Sequence, residues 1–158
     1  MTWATDRLTA LAAGEASPPP IVRTLRLGTF DEWGEGWVRK TWSPHPDLAT
    51  EDGSLFGGYV AALADQALAF AAMTVVPEET AFRTINLSVN FMRMGQNHGL
   101  TIEARVVSRS RSLVTARVEF RDPAGRLLAE ATGQQLLMPY PEARARGVPA
   151  SQDAPSIA

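Results

Sequence analysis

Residues 53–76, GSLFGGYVAALADQALAFAAMTVV, form the least polar part of the chain: Glu51 and Asp52 lie just outside it, and Asp65 is the single charged residue within it. A run of about 18 apolar residues is long enough to span a bilayer, so a membrane helix is the first alternative to weigh. Two features argue against it. Residues 61–72 are rich in alanine, which adds little insertion energy, and an aspartate at the centre of a span costs about 2.5 to 3.5 kcal/mol. A helix buried inside a globular domain satisfies both, and a helix that is apolar on nearly every side must be wrapped by the rest of the chain.

The wrapping comes from strands. After the helix, Ile85, Leu87, Val89 and Phe91 alternate with Thr84, Asn86, Ser88 and Asn90, the period of two of a half-buried strand. Leu100, Ile102, Ala104 and Val106 repeat the pattern, as do Val114, Ala116, Val118 and Phe120. DPAG at 122–125 has tight-turn chemistry, and 126–138 reads as a last strand whose Ala129, Ala131 and Gly133 anticipate a close neighbour on one face. Upstream, residues 21–29 and 34–42 read as a first hairpin turning at 31–34, and 43–54, SPHPDLATEDGS, as a loop. Residues 4–13 favour a short peripheral helix that ends before Pro18, Pro19 and Pro20. The expected organisation is a lead-in at 1–20, one domain at 21–138, and a poorly ordered tail at 139–158. Its class is α+β, a curled antiparallel sheet around one helix.

Composition narrows the function. A formal charge of −2 offers no basic field for nucleic acid, and the absence of cysteine removes disulfides, thiolate metal sites and a cysteine nucleophile. The first twenty residues lack a basic leader, so a cytoplasmic protein is expected. His45 and His98 fall in loops without partners at metal or triad spacing; they read as surface residues, and no metal is expected. Glu51 and Asp52 read as solvated loop acids, whose closeness to the helix start leaves a supporting role open, and Ser54 with Gly57 lacks the spacing of a nucleophile elbow.

The segment F-G-G-Y-V-A-A-L-A-D, 56–65, resembles the H-G-G-x-x-x-x-L-x-D signature of hotdog-fold acyl-CoA thioesterases, in the branch that includes phenylacetic-acid-degradation (PaaI-like) proteins. TINLSVNFMRM at 84–94 and ATGQQLLMP at 131–139 are similar to that family's following and final strands, so the likeness covers about 40–138. It implies the hotdog fold, an acyl-CoA thioester as substrate with no separate cofactor, and a homodimer or dimer of dimers. It assigns Asp65 as general base or nucleophile, the Gly57 N–H as oxyanion donor and Thr84 as the hydroxyl that orients the acid or the water. The chain departs from the family twice: Phe56 stands for the usual His, and Thr50 for an Asn whose amide positions water or the thioester carbonyl.

Elementary chemistry supports part of this independently. A helix N-terminus presents unpaired N–H groups and partial positive charge, and Gly57 and Gly58 let a carbonyl approach the backbone closely; the same glycines also suit a plain tight entry into a helix. Asp65 lies eight residues beyond Gly57, about 12 Å along a helix at 1.5 Å per residue. One thioester cannot touch both within one chain, so a shared substrate requires an antiparallel second copy and a site on a two-fold interface. Phe56, Tyr59 and Phe70 either shape an acyl slot or belong to the core. Arg105, Arg109 and Arg111 offer charge for the phosphates of coenzyme A, or are an ordinary charged strand edge. Two readings follow: a thioester hydrolase, or a hotdog protein that binds acyl-CoA without turnover. A hotdog enoyl-CoA hydratase is disfavoured, because no Asp and His pair is spaced to add water across a double bond.

Overall fold

The computed structural model describes residues 2–93 and 99–141. The run of residues that the sequence marks as core forms α3, Gly57–Met73, and buries Leu63, Ala64, Leu68, Ala71 and Ala72 completely. Around it lie α1 (Trp3–Ala12), α2 (Pro20–Thr24) and six strands: β1 Glu32–Gly34, β2 Trp37–Trp42, β3 Thr80–Phe91, β4 Leu100–Arg109, β5 Leu113–Arg121 and β6 Leu127–Pro139. The strands form one antiparallel sheet in the order β1-β2-β4-β5-β6-β3, with α3 packed on its inner face. This is the α+β hotdog arrangement.

The small residues of β6 meet α3 as expected. A Cβ added at Gly133 would lie 2.8 Å from Leu68 Cδ1 and 3.3 Å from the Asn86 carbonyl oxygen, so only glycine lets helix and sheet close to this distance. The turn at 122–125 is also as anticipated: Gly125 takes φ +79°, and its N–H donates to the Asp122 carbonyl at 2.8 Å.

Three expectations need correction. The first hairpin is displaced, because residues 20–24 are helical and the strand that pairs with β2 is Glu32–Gly34, with the turn at Glu35 and Gly36. Pro20 sits in the first turn of α2, where its missing N–H costs nothing and its fixed φ favours a helix, which alternation alone does not register. The helix of residues 4–13 is real but not peripheral: Ala4 and Leu8 are fully buried and Leu11 nearly so, all in the main core.

The third correction is β3. It holds the sheet edge and pairs only with β6, so its apolar row is not half-buried throughout: Ile85 and Phe91 are each 56% exposed. Its register shifts between Thr84 and Asn86, which leaves Ile85 as an extra residue and reverses the alternation. Thr84 therefore does not share a face with Asn86, Ser88 and Asn90. It pairs with Gln135, in the inner row with Leu87 and Val89.

The residues expected to form a tail lie outside the described residues from 142 onward, as does His98. Among the described residues no helix is long and apolar enough to cross a membrane.

Candidate active site

The start of α3 is bare. Phe56 is its N-cap residue and offers no side-chain hydrogen bond, so the first amides of the helix meet no capping group from that side chain. Gly57, the first residue of the helix, lines a cavity of about 700 Å³ whose walls also include Leu55, Val60, Leu100, Phe120 and Leu128. Exposed helix amides beside an apolar chamber can bind a developing oxyanion on an otherwise apolar ligand.

Thr50, Asp52 and Ser54 line the same cavity as Gly57. Their polar atoms are largely spent on one another. The Thr50 N–H donates to the Ser54 carbonyl at 2.7 Å, the Ser54 hydroxyl to Asp52 Oδ1 at 2.6 Å, and the Ser54 N–H to the same oxygen at 3.0 Å. Thr50 Oγ1 lies within bonding range of Asp52 Oδ1 and of Ser54 Oγ, the latter at 2.8 Å. These donors, the Ser54 hydroxyl foremost and then that of Thr50, hold the Asp52 carboxyl down at about 2, so it stays an anion and acts only as an acceptor. The turn is thus a closed unit that shapes one wall of the chamber.

Asp65 is half-buried rather than enclosed, on the side of α3 that approaches β3. The Thr84 hydroxyl donates to its Oδ1 at 2.8 Å, a contact that exists because the irregularity at Ile85 turns Thr84 inward. Thr84 Oγ1 is also 2.9 Å from Gln135 Oε1. Around Asp65 the helix surface is small or open: Gly58, Ala61, Ala62 and Ala69 are not buried in the single chain.

The remaining candidates are dispersed. Phe56 is 60% exposed and its ring covers Gly58, where an added Cβ would lie 2.6 Å from Phe56 Cε1. Tyr59 is buried against Trp42, with ring centroids 5.3 Å apart, and its hydroxyl donates to the Leu25 carbonyl; it is a core residue and not part of the chamber's wall. Phe70 packs edge-on against Phe30 and is likewise core. Arg105 pairs with Glu103 at 2.7 Å and lies over the Trp37 ring, while Arg109 ends β4 in an exposed position. Neither arginine borders the chamber, whereas Arg93 does.

Sequence reasoning passed over Gln135 and Lys40. Both occupy inward positions of otherwise apolar rows, Ala131, Gly133 and Leu137 in one case and Val38 and Trp42 in the other, and that break in alternation is the signal available beforehand. Lys40 Nζ donates to the Leu27 carbonyl at 2.9 Å and to Gln66 Oε1 at 2.6 Å, and burial pushes its pKa down to about 8 against the pull of Asp31.

The family model of the thioesterase superfamily matches residues 52–129, which span α3 and most of the sheet. The chain belongs to this superfamily of hotdog proteins. Among solved structures, AziG of S. sahachiroi is 25% identical, with 77% of this chain and 98% of that one covered and a TM-score of 0.71. A phenylacetic acid degradation-related protein of Ralstonia eutropha JMP134 is 24% identical over 82% of this chain and 98% of its own, with a TM-score of 0.74. A Streptococcus mutans protein bound to acetyl-CoA is 20% identical over 70% and 88%, with a TM-score of 0.65. At these last two identities the likeness is one of fold. A search of curated proteins finds no match.

Proposed function

We propose that the protein hydrolyses acyl-CoA thioesters at sites shared between two antiparallel copies of α3. The observation that carries the reading is the separation of two incomplete half-sites: bare helix amides at an apolar chamber, and about 12 Å further along the same helix a carboxylate oriented by a hydroxyl. A second copy is supported by β3, a 12-residue edge strand paired on one side, and by the unburied small residues flanking Asp65.

In this reading the acyl chain lies in the chamber and the thioester carbonyl oxygen faces the Gly57 N–H of one copy. Asp65 of the other copy takes a proton from water as the water oxygen bonds to the carbonyl carbon; the oxyanion then re-forms the carbonyl as the C–S bond breaks, and the thiolate leaves. Asp65 attacking the carbon directly, through an anhydride that water opens, uses the same geometry. Acetyl-CoA bound in the Streptococcus mutans structure supports the choice of thioester.

The test is a panel of acyl-CoAs with released thiol as the readout. Asp65→Asn should lower kcat by about 10²- to 10⁴-fold, the worth of a positioned base, with ligand binding retained. Undiminished turnover in that variant would refute the assignment. One observation favours a second reading, an acyl-CoA binder without turnover: the hydrogen-bonding groups of Thr50 are engaged within its own turn, where the family's Asn would present an amide to substrate or water. Tight binding of acyl-CoA by a wild type that releases no thiol would establish it.

A further inference from the structure

We propose that Gln135 is a positioning residue that fixes the direction of the Thr84 hydroxyl, so that its one proton is always given to Asp65. The inference rests on the hydrolase reading for its functional meaning, but its structural content stands apart from it.

Thr84 has a single proton and two neighbouring oxygens, Asp65 Oδ1 at 2.8 Å and Gln135 Oε1 at 2.9 Å. It cannot donate to both. At the other end of the same carboxamide, Gln135 Nε2 is the one buried side-chain nitrogen or oxygen among the described residues that has no hydrogen-bond partner. Gln135 itself is fully buried on the inner face of β6, directly opposite Thr84 in the β3–β6 register. An acceptor competing for a proton and a buried donor with nothing to bond are resolved by one change. A half-turn of the amide about its Cγ–Cδ bond exchanges the two ends, and Nε2 then faces Thr84 Oγ1.

The result is a directed chain: Gln135 Nε2–H donates to Thr84 Oγ1, and Thr84 Oγ1–H donates to the Asp65 carboxylate. Each bond polarises the next, and the hydroxyl loses the freedom to point elsewhere. The amide oxygen becomes the unpartnered end, which buried structures tolerate better than an unpartnered N–H. A glutamine in the small-residue row of β6 gains nothing for packing that Leu or Met would not supply. Its amide does what those side chains cannot.

The experiment has two arms. In hydrolysis assays Gln135→Met and Thr84→Val should each lower kcat by about 10- to 100-fold with KM little changed, the usual cost of removing an outer partner of a functional group. The double variant should lose no more than Thr84→Val alone, because Gln135 acts only through that hydroxyl. Multiplying losses would mean an independent packing role and overturn the proposal. In the second arm, ¹⁵N NMR of the wild type should show the Gln135 side-chain amide protected from exchange, and Thr84→Val should shift its resonances. An amide unmoved by Thr84→Val overturns the proposal whether or not thioesters are cleaved. A tied amide in a wild type without turnover leaves the positioning chain intact and refutes the hydrolase reading alone.

Discussion

If each site takes its Gly57 amide from one copy and its Asp65 from the other, two inactive variants should restore one another. Gly57→Pro removes the N–H, and the Cβ it adds meets the Phe91 ring at 3.3 Å, an exposed side chain with room to give way. Phe56 already has φ −57° and ψ 126°, the extended conformation a residue before proline adopts, and proline is well accepted at the first position of a helix. Losing one oxyanion donor should cost about 10²- to 10³-fold in kcat, and losing the base in Asp65→Asn about 10²- to 10⁴-fold. In a heterodimer of the two, one site inherits both lesions and the other inherits neither. A doubly tagged heterodimer, purified after co-expression and assayed by thiol release, should therefore show about half the wild-type activity, and a random mixture of dimers about a quarter. Both values stand far above either parent. A purified heterodimer no more active than the better parent would refute the shared site and place base and amide in the same copy, against the 12 Å estimate.

Two further outcomes follow from packing and charge. Gly133→Val drives a branched side chain into Leu68 and the Asn86 carbonyl, and overpacking of this kind costs about 1 to 3 kcal/mol; thermal unfolding should show Tm lowered by about 2 to 4 °C per kcal/mol, and an unchanged Tm would mean α3 is free to retreat. Lys40 has its pKa lowered from 10.5 to about 8, so between those pH values the unfolded chain holds a proton that the folded chain has released. Stability should accordingly rise with pH across that window, by at most about 3 kcal/mol, relative to Lys40→Met in urea unfolding at each pH; parallel curves for the two proteins would refute the assignment.

The elements with a strong period were legible from residues alone. The apolar run of α3, the alternation of β4 and β5, and the small residues of β6 state their structures locally, because burial and periodicity are written in side chains that are neighbours in sequence. The failures have equally local causes. Alternation in residues 21–29 competes with the helix-starting preference of Pro20 and loses, and the burial of α1 depends on a surface of α3 that forms only in the fold.

The site divides in the same way. Gly57, Gly58 and Asp65 were visible because a helix converts their spacing directly into distance. Alternation sets Thr84 on the polar side of its strand, whereas one extra residue at Ile85 inverts which face it joins, and a bulge is decided by pairing with β6. Gln135 meets Thr84 across 51 positions of sequence, a separation at which no local pattern carries information. What the sequence determined by itself, then, was the class of fold and the axis along which amide and carboxylate are spaced. Tertiary structure alone decided which hydroxyl reaches the carboxylate, which amide stands behind it, and that Thr50 is held within its own turn, because those contacts depend on register and closure rather than on order along the chain.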